Sequence, residues 1–239
     1  MQLTDFALLA FLAWVVQFHL IQRRQAQLMA RFVAPQVAEL VRQRGLKCAV
    51  ESRTMEISVV CCDLRGFTAY CESVPSQKVI RMLREYYAAV GAAAEAFGGT
   101  IKDQAGDGVL ILVGAPVPYQ DHAQRALLLA KRIRASGVAL AARWSDAESS
   151  LGVGIGVASG RVTVGVIGAA SRLEYTAIGP AVNLASRLCS QAAHGGLLLD
   201  QRSVELLDAG TRGRDLRSAG ALQLKGIRLP VVSYALAAP

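Results

Sequence analysis

Two aspartates, each in a glycine-rich turn, are the residues of this sequence best suited to do chemistry. Asp63 directly follows an apolar run, residues 57–62, that predicts a strand. Asp107 stands between two glycines at the tip of a predicted hairpin between residues 99–104 and 109–113. Paired carboxylates with few other ligands suit Mg²⁺, which completes its shell with water and substrate phosphates. The pair therefore indicates phosphoryl chemistry on a nucleotide.

Each aspartate taken alone has a simpler interpretation. An aspartate beside glycine is a common turn former, because its side chain hydrogen-bonds nearby backbone groups. Asp107 with the following glycine is also an ordinary hairpin signal. The metal-site hypothesis depends on the two residues occurring together.

The elements that must position these residues alternate along the chain. The predicted elements are a strand at 56–62, a helix at 76–97, two hairpin strands around Asp107, a helix from about 121 to 134, a hairpin of 151–158 and 161–167 turning at Ser159-Gly160, and a helix at 180–192. A strand at 197–200, a short helix and final strands follow. This order predicts an α+β domain with a ferredoxin-like βαββαβ sheet covered by helices on one face.

The N-terminal region has a different character. Residues 6–21 carry no charge and are followed by Arg23 and Arg24, but the stretch is shorter than the roughly 20 residues of a membrane span. It is either an anchor that keeps the rest of the chain cytoplasmic or a buried or dimerising helix. Residues 25–44 show helical spacing, interrupted at Pro35 and ended by Gly45. The predicted organisation is an N-terminal hydrophobic helix at 1–24, linker helices at 25–54 and a catalytic domain at 55–239.

Composition limits the partners. With 53% apolar residues in 239 the chain can bury a full core, and its net charge of +8 suits anionic partners such as nucleotides or lipid headgroups. No basic stretch is interleaved with aromatic residues, so no nucleic-acid partner is predicted. The five cysteines lack metal-site spacing and are interpreted as reduced cytosolic thiols.

A series of motifs carries a family resemblance. It comprises Asp63 with Gly66-Phe67-Thr68, then Gly98-Gly99-Thr100-Ile101, Gly106-Asp107, Gly114-Ala115-Pro116, the segment from Glu174 through Asn183 to Leu188, and Leu224-Lys225-Gly226. In this order, from Met55 to Tyr234, the chain resembles the catalytic domain of class III nucleotidyl cyclases. The resemblance implies an enzyme, a phosphorus–oxygen lyase. It would cyclise a purine nucleoside triphosphate to a 3′,5′-cyclic nucleotide and pyrophosphate for intracellular signalling, with ATP to cAMP the favoured reaction.

The resemblance also implies roles for individual residues. Two Mg²⁺ or Mn²⁺ ions per site are expected at Asp63, Leu64 and Asp107, and Asn183 and Arg187 are expected to act on the transition state. The expected substrate-binding residues are Gly66, Phe67, Thr68, Asp103, Thr176, Lys225 and Arg172. The family forms head-to-tail homodimers in which each site takes its aspartates from one chain and its Asn/Arg pair from the other.

The base-reading position departs from the family pattern. Adenylyl cyclases commonly place Lys three residues before the glycine of the Gly106-Asp107 pair, and here that residue is Asp103. An ionised carboxylate only accepts hydrogen bonds, which matches the N1–H and N2 donors of guanine. Lys102 would face the base only through a local bulge, since neighbours in a regular strand face opposite sides. Thr176 suits either base. Three functions are therefore left as alternatives by the sequence: an adenylate cyclase, a guanylate cyclase and a degenerate regulatory module.

Overall fold

The fold alternates strands and helices in the predicted order. The computed structural model describes residues 14–21, 34–145, 150–169 and 172–236, with the backbone alone at 44, 46–50, 172 and 213–215. The helices are α1 (Pro35–Val50), α2 (Phe67–Ser73), α3 (Ser76–Ala96), α4 (His122–Trp144), α5 (Pro180–Gln191), α6 (Gln201–Glu205) and α7 (Ala209–Asp215). The strands are β1 (Arg53–Arg65), β2 (Gly99–Ala105), β3 (Gly108–Val113), β4 (Gly152–Ala169), β5 (Arg172–Ile178), β6 (Gly196–Asp200), β7 (Leu216–Leu222) and β8 (Val231–Leu236).

Within the described residues, eight strands form one sheet in the order β2-β3-β1-β4-β6-β8-β7, with β5 paired to β4. The first four strands and helices α3 and α4 make the ferredoxin-like βαββαβ unit, so the predicted fold class is confirmed. Strand β1 lies between β3 and β4 and is antiparallel to both. Residues 58–62 of β1 are therefore held from both sides, and Asp63 follows them directly.

The middle of strand β1, residues 57–62, is apolar apart from Ser58 because both of its faces are buried. Val60 and Cys62 face the core beneath α3 and α4, whereas Val59 and Cys61 face a second core beneath α5. Helix α5 buries its apolar stripe, which includes Ala185, on that second face. The prediction that helices cover only one face of the sheet is therefore corrected.

The predicted hairpin at Ser159-Gly160 is wrong. Strand β4 runs unbroken through both residues, with Ser159 paired to Ser58 and Gly160 paired to Ile57. Gly160 instead lies beneath α5, where a β-carbon would be in ordinary van der Waals contact with Ala181 at 3.5 Å. The hairpin lies further along the chain, where β5 pairs back onto the end of β4.

Helix α4 is longer than predicted, whereas helix α1 begins where it was predicted to begin. Helix α4 continues about ten residues beyond the predicted end at 134, because its buried stripe extends through Gly137 and Leu140. Helix α1 begins at Pro35, as predicted, and its regular geometry breaks at Gly45, whose φ is 75°. The left-handed conformation suits glycine, since it lacks a β-carbon.

A row of hydrogen-bonded polar groups crosses the buried face of the sheet beneath α4. Ser58 Oγ lies 2.8 Å from Nδ1 of His122 and 2.6 Å from Oγ of Ser159. Ser159 Oγ lies 2.8 Å from Oγ of Ser203, and the carboxylate of Asp200 accepts from the backbone N–H of both Ser159 and Ser203. All five residues are buried, and the row ties β1, β4, β6 and two helices together.

The N-terminal prediction falls mostly outside the described residues. Residues 14–21 are helical, with Trp14 and Phe18 exposed, whereas 1–13 and 22–33 are not described. Nowhere in the described ranges is there a helix of the length and apolarity that a bilayer crossing requires. The free cysteines within those ranges are Cys61, Cys62, Cys71 and Cys189.

Candidate functional site

The two aspartates meet at one end of the sheet, as the sequence predicts. The pairing of β1 with β3 ends at Cys62 and Val109, which leaves Asp63 beside the turn that joins β2 to β3. A β-carbon built on Gly108 would lie 3.9 Å from Oδ1 of Asp63. The adjacent strand ends therefore bring the carboxylates of Asp63 and Asp107 together.

Asp107 lies next to a second negative charge and is partly buried. Burial, a hydrogen bond with Asp63 and the negative charge of Asp63 raise the pKa of Asp107 to about 6, although Arg65 acts in the opposite direction. The Tyr87 hydroxyl of α3 donates to the carbonyl of Gly106 and so anchors the turn. Two carboxylates in contact are unfavourable until a cation binds them, which is a property expected of a metal site.

The donor set fits a divalent cation with few protein ligands. Among the described residues no cluster of three or more His, Cys, Asp or Glu side chains could hold a metal. The Leu64 side chain is buried, so only its carbonyl oxygen is suited to join Asp63 and Asp107. Mg²⁺ and Mn²⁺ accept such a set because waters and phosphates supply the remaining oxygens.

We expect Asp107→Asn to stabilise the metal-free protein above pH 6. Between the ordinary pKa of 3.8 and about 6, the folded chain holds more protons on Asp107 than the unfolded chain. Stability therefore falls as the pH rises through this window, and the neutral amide removes that loss. Because the group is half-exposed, the gain is ~1 kcal/mol, or about 2–4 °C in a domain of this size.

Thermal unfolding of metal-free protein at pH 4.5 and pH 7.5 checks this expectation. Mn²⁺ should raise the melting temperature of the wild type and not that of Asp107→Asn. Glu95→Gln removes an exposed carboxylate from α3 and serves as the matched control, with no pH-dependent gain. A variant less stable than the wild type at pH 7.5 without metal would contradict the electrostatic account.

Arg65 is a site residue that the sequence analysis missed. Its Nη1 donates to Oδ2 of Asp63 at 3.1 Å, and its Nε donates to the carbonyl of Ala192 at 3.0 Å, just beyond α5. A signal was available, since residues two apart in a strand share a face. A basic residue two positions after a candidate metal ligand in a strand is therefore placed to contact it.

The turn after β1, which is predicted to bind phosphate, contains a glycine in the left-handed conformation. Gly66 has φ of 75°, and a β-carbon there would overlap the carbonyl of Ser150. Helix α2 begins at the next residue, with Phe67 partly buried against the core and Thr68 exposed. Only glycine fits this close approach, and it leaves the backbone N–H groups at the helix start open to an anion.

Asn183 and Arg187 lie together on the outer face of α5. Both side chains are exposed, whereas Ala181, Ala185 and Leu188 of the same helix are buried. In the described parts of the chain, no hydrogen bond or ion pair joins either residue to the two aspartates. Within the described residues of one chain, the predicted halves of the site are therefore not joined by a polar contact.

A β-bulge changes the geometry at the base-reading position. Ile101 pairs with Ile111, but the next pair along the ladder is Asp103 with Leu110, so Lys102 is the extra residue. Leu110 packs against the core beneath α5, which places Asp103 on that face.

Lys102 lies on the same side as Asp103. Its Nζ is 3.3 Å from the Asp103 carboxylate and 3.9 Å from that of Glu174 on β5, and only 15% of its side chain is exposed. Thr176, the other predicted base-reading residue, follows on β5 and is half-buried. The structure thus groups the side chains of Lys102, Asp103 and Glu174.

The two predicted phosphate-binding cations differ in how well they are described. Lys225 is exposed, and the preceding Leu224 is buried in the core beneath α5, so the segment is anchored on that face. Arg172 opens β5, and its side chain lies outside the described residues. Its role stays a prediction.

Comparison with known proteins agrees with this geometry. The family model of the adenylate and guanylate cyclase catalytic domain matches residues 49–238. The Pseudomonas aeruginosa adenylyl cyclase CyaB is similar, with a TM-score of 0.73 and 29% identity over 80% of this chain and 97% of that structure. The guanylyl cyclase Cya2 has a TM-score of 0.69 and 30% identity, covering 77% of this chain and 93% of its own.

Uncharacterised mycobacterial proteins are also related. Rv1319c of Mycobacterium tuberculosis is 33% identical over 179 residues, or 74% of this chain. The match covers 32% of that relative, so the chain spans about a third of its length. The family match, the sheet order and the paired aspartates agree, and the chain belongs to the class III adenylate and guanylate cyclases.

Proposed function

We propose that the domain converts ATP to 3′,5′-cyclic AMP and pyrophosphate in a divalent-metal-dependent reaction, for intracellular signalling. The observation that carries the proposal is the contact between Asp63 and Asp107 at the end of β1, beside a glycine turn suited to phosphate. Asp63, Asp107 and the Leu64 carbonyl would hold two Mg²⁺ or Mn²⁺ ions. When bound, the metal supplies charge stabilisation for the attacking 3′-oxygen and the departing pyrophosphate.

The other residues bind and orient the nucleotide. The backbone N–H groups after Gly66, in the Phe67-Thr68 turn, would contact phosphate oxygens, and Lys225 would neutralise the terminal phosphates. Asn183 would orient the ribose. Arg187 would donate to the oxygens of the α-phosphate, where negative charge increases in the transition state.

A complete site requires two chains in this proposal. Asn183 and Arg187 are exposed on α5, and in the described residues no hydrogen bond or ion pair joins them to the aspartates of their own chain. A head-to-tail homodimer would place the α5 face of one chain opposite the aspartates of the other and so form two equivalent sites. An isolated chain would then be inactive.

The β-bulge supports ATP as the substrate. It puts Lys102, a donor, on the face where a regular strand would have presented only the Asp103 acceptor. Adenine N1 is an acceptor and requires a donor. The Lys102 ammonium also engages the Asp103 carboxylate at 3.3 Å, which leaves that carboxylate less available to guanine.

GTP is the second candidate, and Asp103 is the observation that favours it. Its carboxylate is 54% exposed and accepts hydrogen bonds, which matches the N1–H and N2 donors of guanine. Thr176 could donate to guanine O6 or accept from adenine N6. Both bases therefore have a fitting partner on this face, and direct measurement decides between them.

A pair of matched variants tests whether ATP or GTP is the preferred substrate. Lys102→Met should lower kcat/KM for ATP by about tenfold or more and change that for GTP little, because it removes the donor for adenine N1 and a buried group left unpaired costs about 1–3 kcal/mol. Asp103→Asn should affect GTP more than ATP. The assay follows cyclic nucleotide and pyrophosphate from each triphosphate with Mg²⁺ or Mn²⁺.

The assay also separates the alternatives. A wild type that prefers GTP, with Asp103→Asn the damaging change, would replace the ATP assignment with guanylate cyclase. No product from either triphosphate with either metal would favour a degenerate regulatory module. Tethering by residues 1–24 stays a prediction, checked by whether the full chain sediments with membranes in the absence of detergent.

A further inference from the structure

Arg65 joins a proposed metal ligand to the helix that carries Asn183 and Arg187. Besides its bonds to Asp63 and to the Ala192 carbonyl, its Nη2 donates to the carbonyl of Cys189. The side chain is 18% exposed.

The guanidinium is fixed in place from all sides. It covers Gly154 of β4, where any β-carbon would overlap it. The carbonyls of Cys189 and Ala192 lie at the C-terminal end of α5, which carries partial negative charge, and the Cys189 carbonyl also accepts from the backbone N–H of Ala192. A planar guanidinium with several donors suits such carbonyls, and lysine could not bond all three groups at once. Arg65 therefore contacts Asp63 and the α5 C-terminus at the same time.

The same side chain competes with a cation for Asp63. A divalent ion at the paired aspartates needs a carboxylate oxygen of Asp63, and the Arg65 Nη1 group donates to one of them. The guanidinium also places a positive charge next to the ion. Because both draw on one carboxylate and the two positive charges repel each other, metal binding is expected to weaken the Arg65–Asp63 contact, and Arg65 to weaken metal binding.

We propose that Arg65 is a positioning residue that holds Asp63 before metal binds and transmits metal binding to α5. Once Asp63 turns to the cation, Arg65 is held by the two α5 carbonyls alone. This inference rests on the proposed function, in which α5 serves the site of the partner chain. Metal binding in one site would then adjust Asn183 and Arg187 in the other site of the dimer.

Metal binding to nucleotide-free protein, measured by Mn²⁺ electron paramagnetic resonance, gives the decisive test. Arg65→Gln should bind Mn²⁺ about three- to tenfold more tightly, because a competing positive charge beside the carboxylate is lost. Its kcat should nevertheless fall, since α5 loses its anchor. Arg65→Lys keeps the charge without the three-way contact, so its Mn²⁺ affinity should match the wild type while kcat falls.

Arg202→Gln is the matched control. It removes an arginine that pairs with Glu56 near the other end of β1, at 2.7 Å, and should leave Mn²⁺ affinity unchanged. Arg65→Met also removes the charge but keeps the stem packed over Gly154, and it should bind Mn²⁺ as tightly as Arg65→Gln. If neither neutral variant folds, the role of Arg65 is structural and the inference is overturned.

The remaining outcomes separate this inference from the proposed function. Unchanged or weaker Mn²⁺ binding in folded Arg65→Gln overturns the inference, even if cyclic nucleotide is formed. If the affinity pattern holds but the wild type forms no cyclic nucleotide, the proposed function fails and the inference stands. If Asp63→Asn binds Mn²⁺ as well as the wild type, the metal ligand is misassigned and both fail.

Discussion

Cyclic nucleotide formation should fall by at least about a thousandfold in Asp63→Ala, because the metal loses a charged ligand worth several kcal/mol at the transition state. The expected loss is of chemistry more than of folding. Asp63 is half-exposed at the end of β1, and its backbone pairing with Gly154 does not involve the side chain. The specific rate is measured at saturating triphosphate and metal, and circular dichroism and thermal unfolding report the fold.

Asp121→Ala is a suitable control for that experiment. Asp121 precedes α4 and pairs on the surface with Arg125 at 2.8 Å, so its removal should change stability by less than about 1 kcal/mol. Its cyclase rate should stay near that of the wild type. An Asp63→Ala chain that keeps its full rate with Mg²⁺ would refute the metal assignment.

Activity should return when two inactive variants, Asp107→Ala and Asn183→Ala, are mixed. Each heterodimer would combine the intact Asp107 of one chain with the intact Asn183 of the other and so rebuild one of its two sites. Random exchange makes about half of the dimers heterodimeric, so the mixture should reach about a quarter of the wild-type rate. The rate is measured over time after mixing, alongside subunit exchange followed by fluorescence transfer.

The matched control mixes Asp63→Ala with Asp107→Ala. Both changes affect the same half of the site, so the heterodimer contains no complete site and should stay inactive even though its chains exchange. Exchange without recovery in the first mixture would contradict a site shared between two chains. Recovery in the control would contradict the assignment of both aspartates to one half.

Much of the framework was predictable because it depends on local periodicity. The apolar run before Asp63, the amphipathic spacing of α3 and the glycines around Asp107 each specify an element without reference to the rest of the chain. Two adjacent antiparallel strands then bring the aspartates together. That Asn183 and Arg187 share one face of α5 follows equally from their spacing of four residues.

The features that were missed depend on contacts between distant segments. Ser159-Gly160 has the composition of a turn, yet both residues lie inside β4, where they pair with Ser58 and Ile57 of β1 about 100 residues earlier. The bulge at Lys102 adds one residue to β2 and leaves no local mark, since the pattern around Asp103 is polar on both sides. The contact of Arg65 with the Ala192 carbonyl spans 127 positions in sequence, and no periodicity reports it.

The buried row of hydrogen-bonded polar groups beneath α4 has a consequence for which face of the sheet carries the active site. Ser58 and Asp63 lie on opposite faces of β1, and a slip of one residue against β4 would exchange those faces. Ser58 would then lose its hydrogen bonds with His122 and Ser159. Each buried polar group left without a partner would cost about 1–3 kcal/mol. Asp63 would turn away from Arg65 and from α5. The buried polar row, which is not part of the proposed site, therefore fixes the face of the sheet on which the metal would bind.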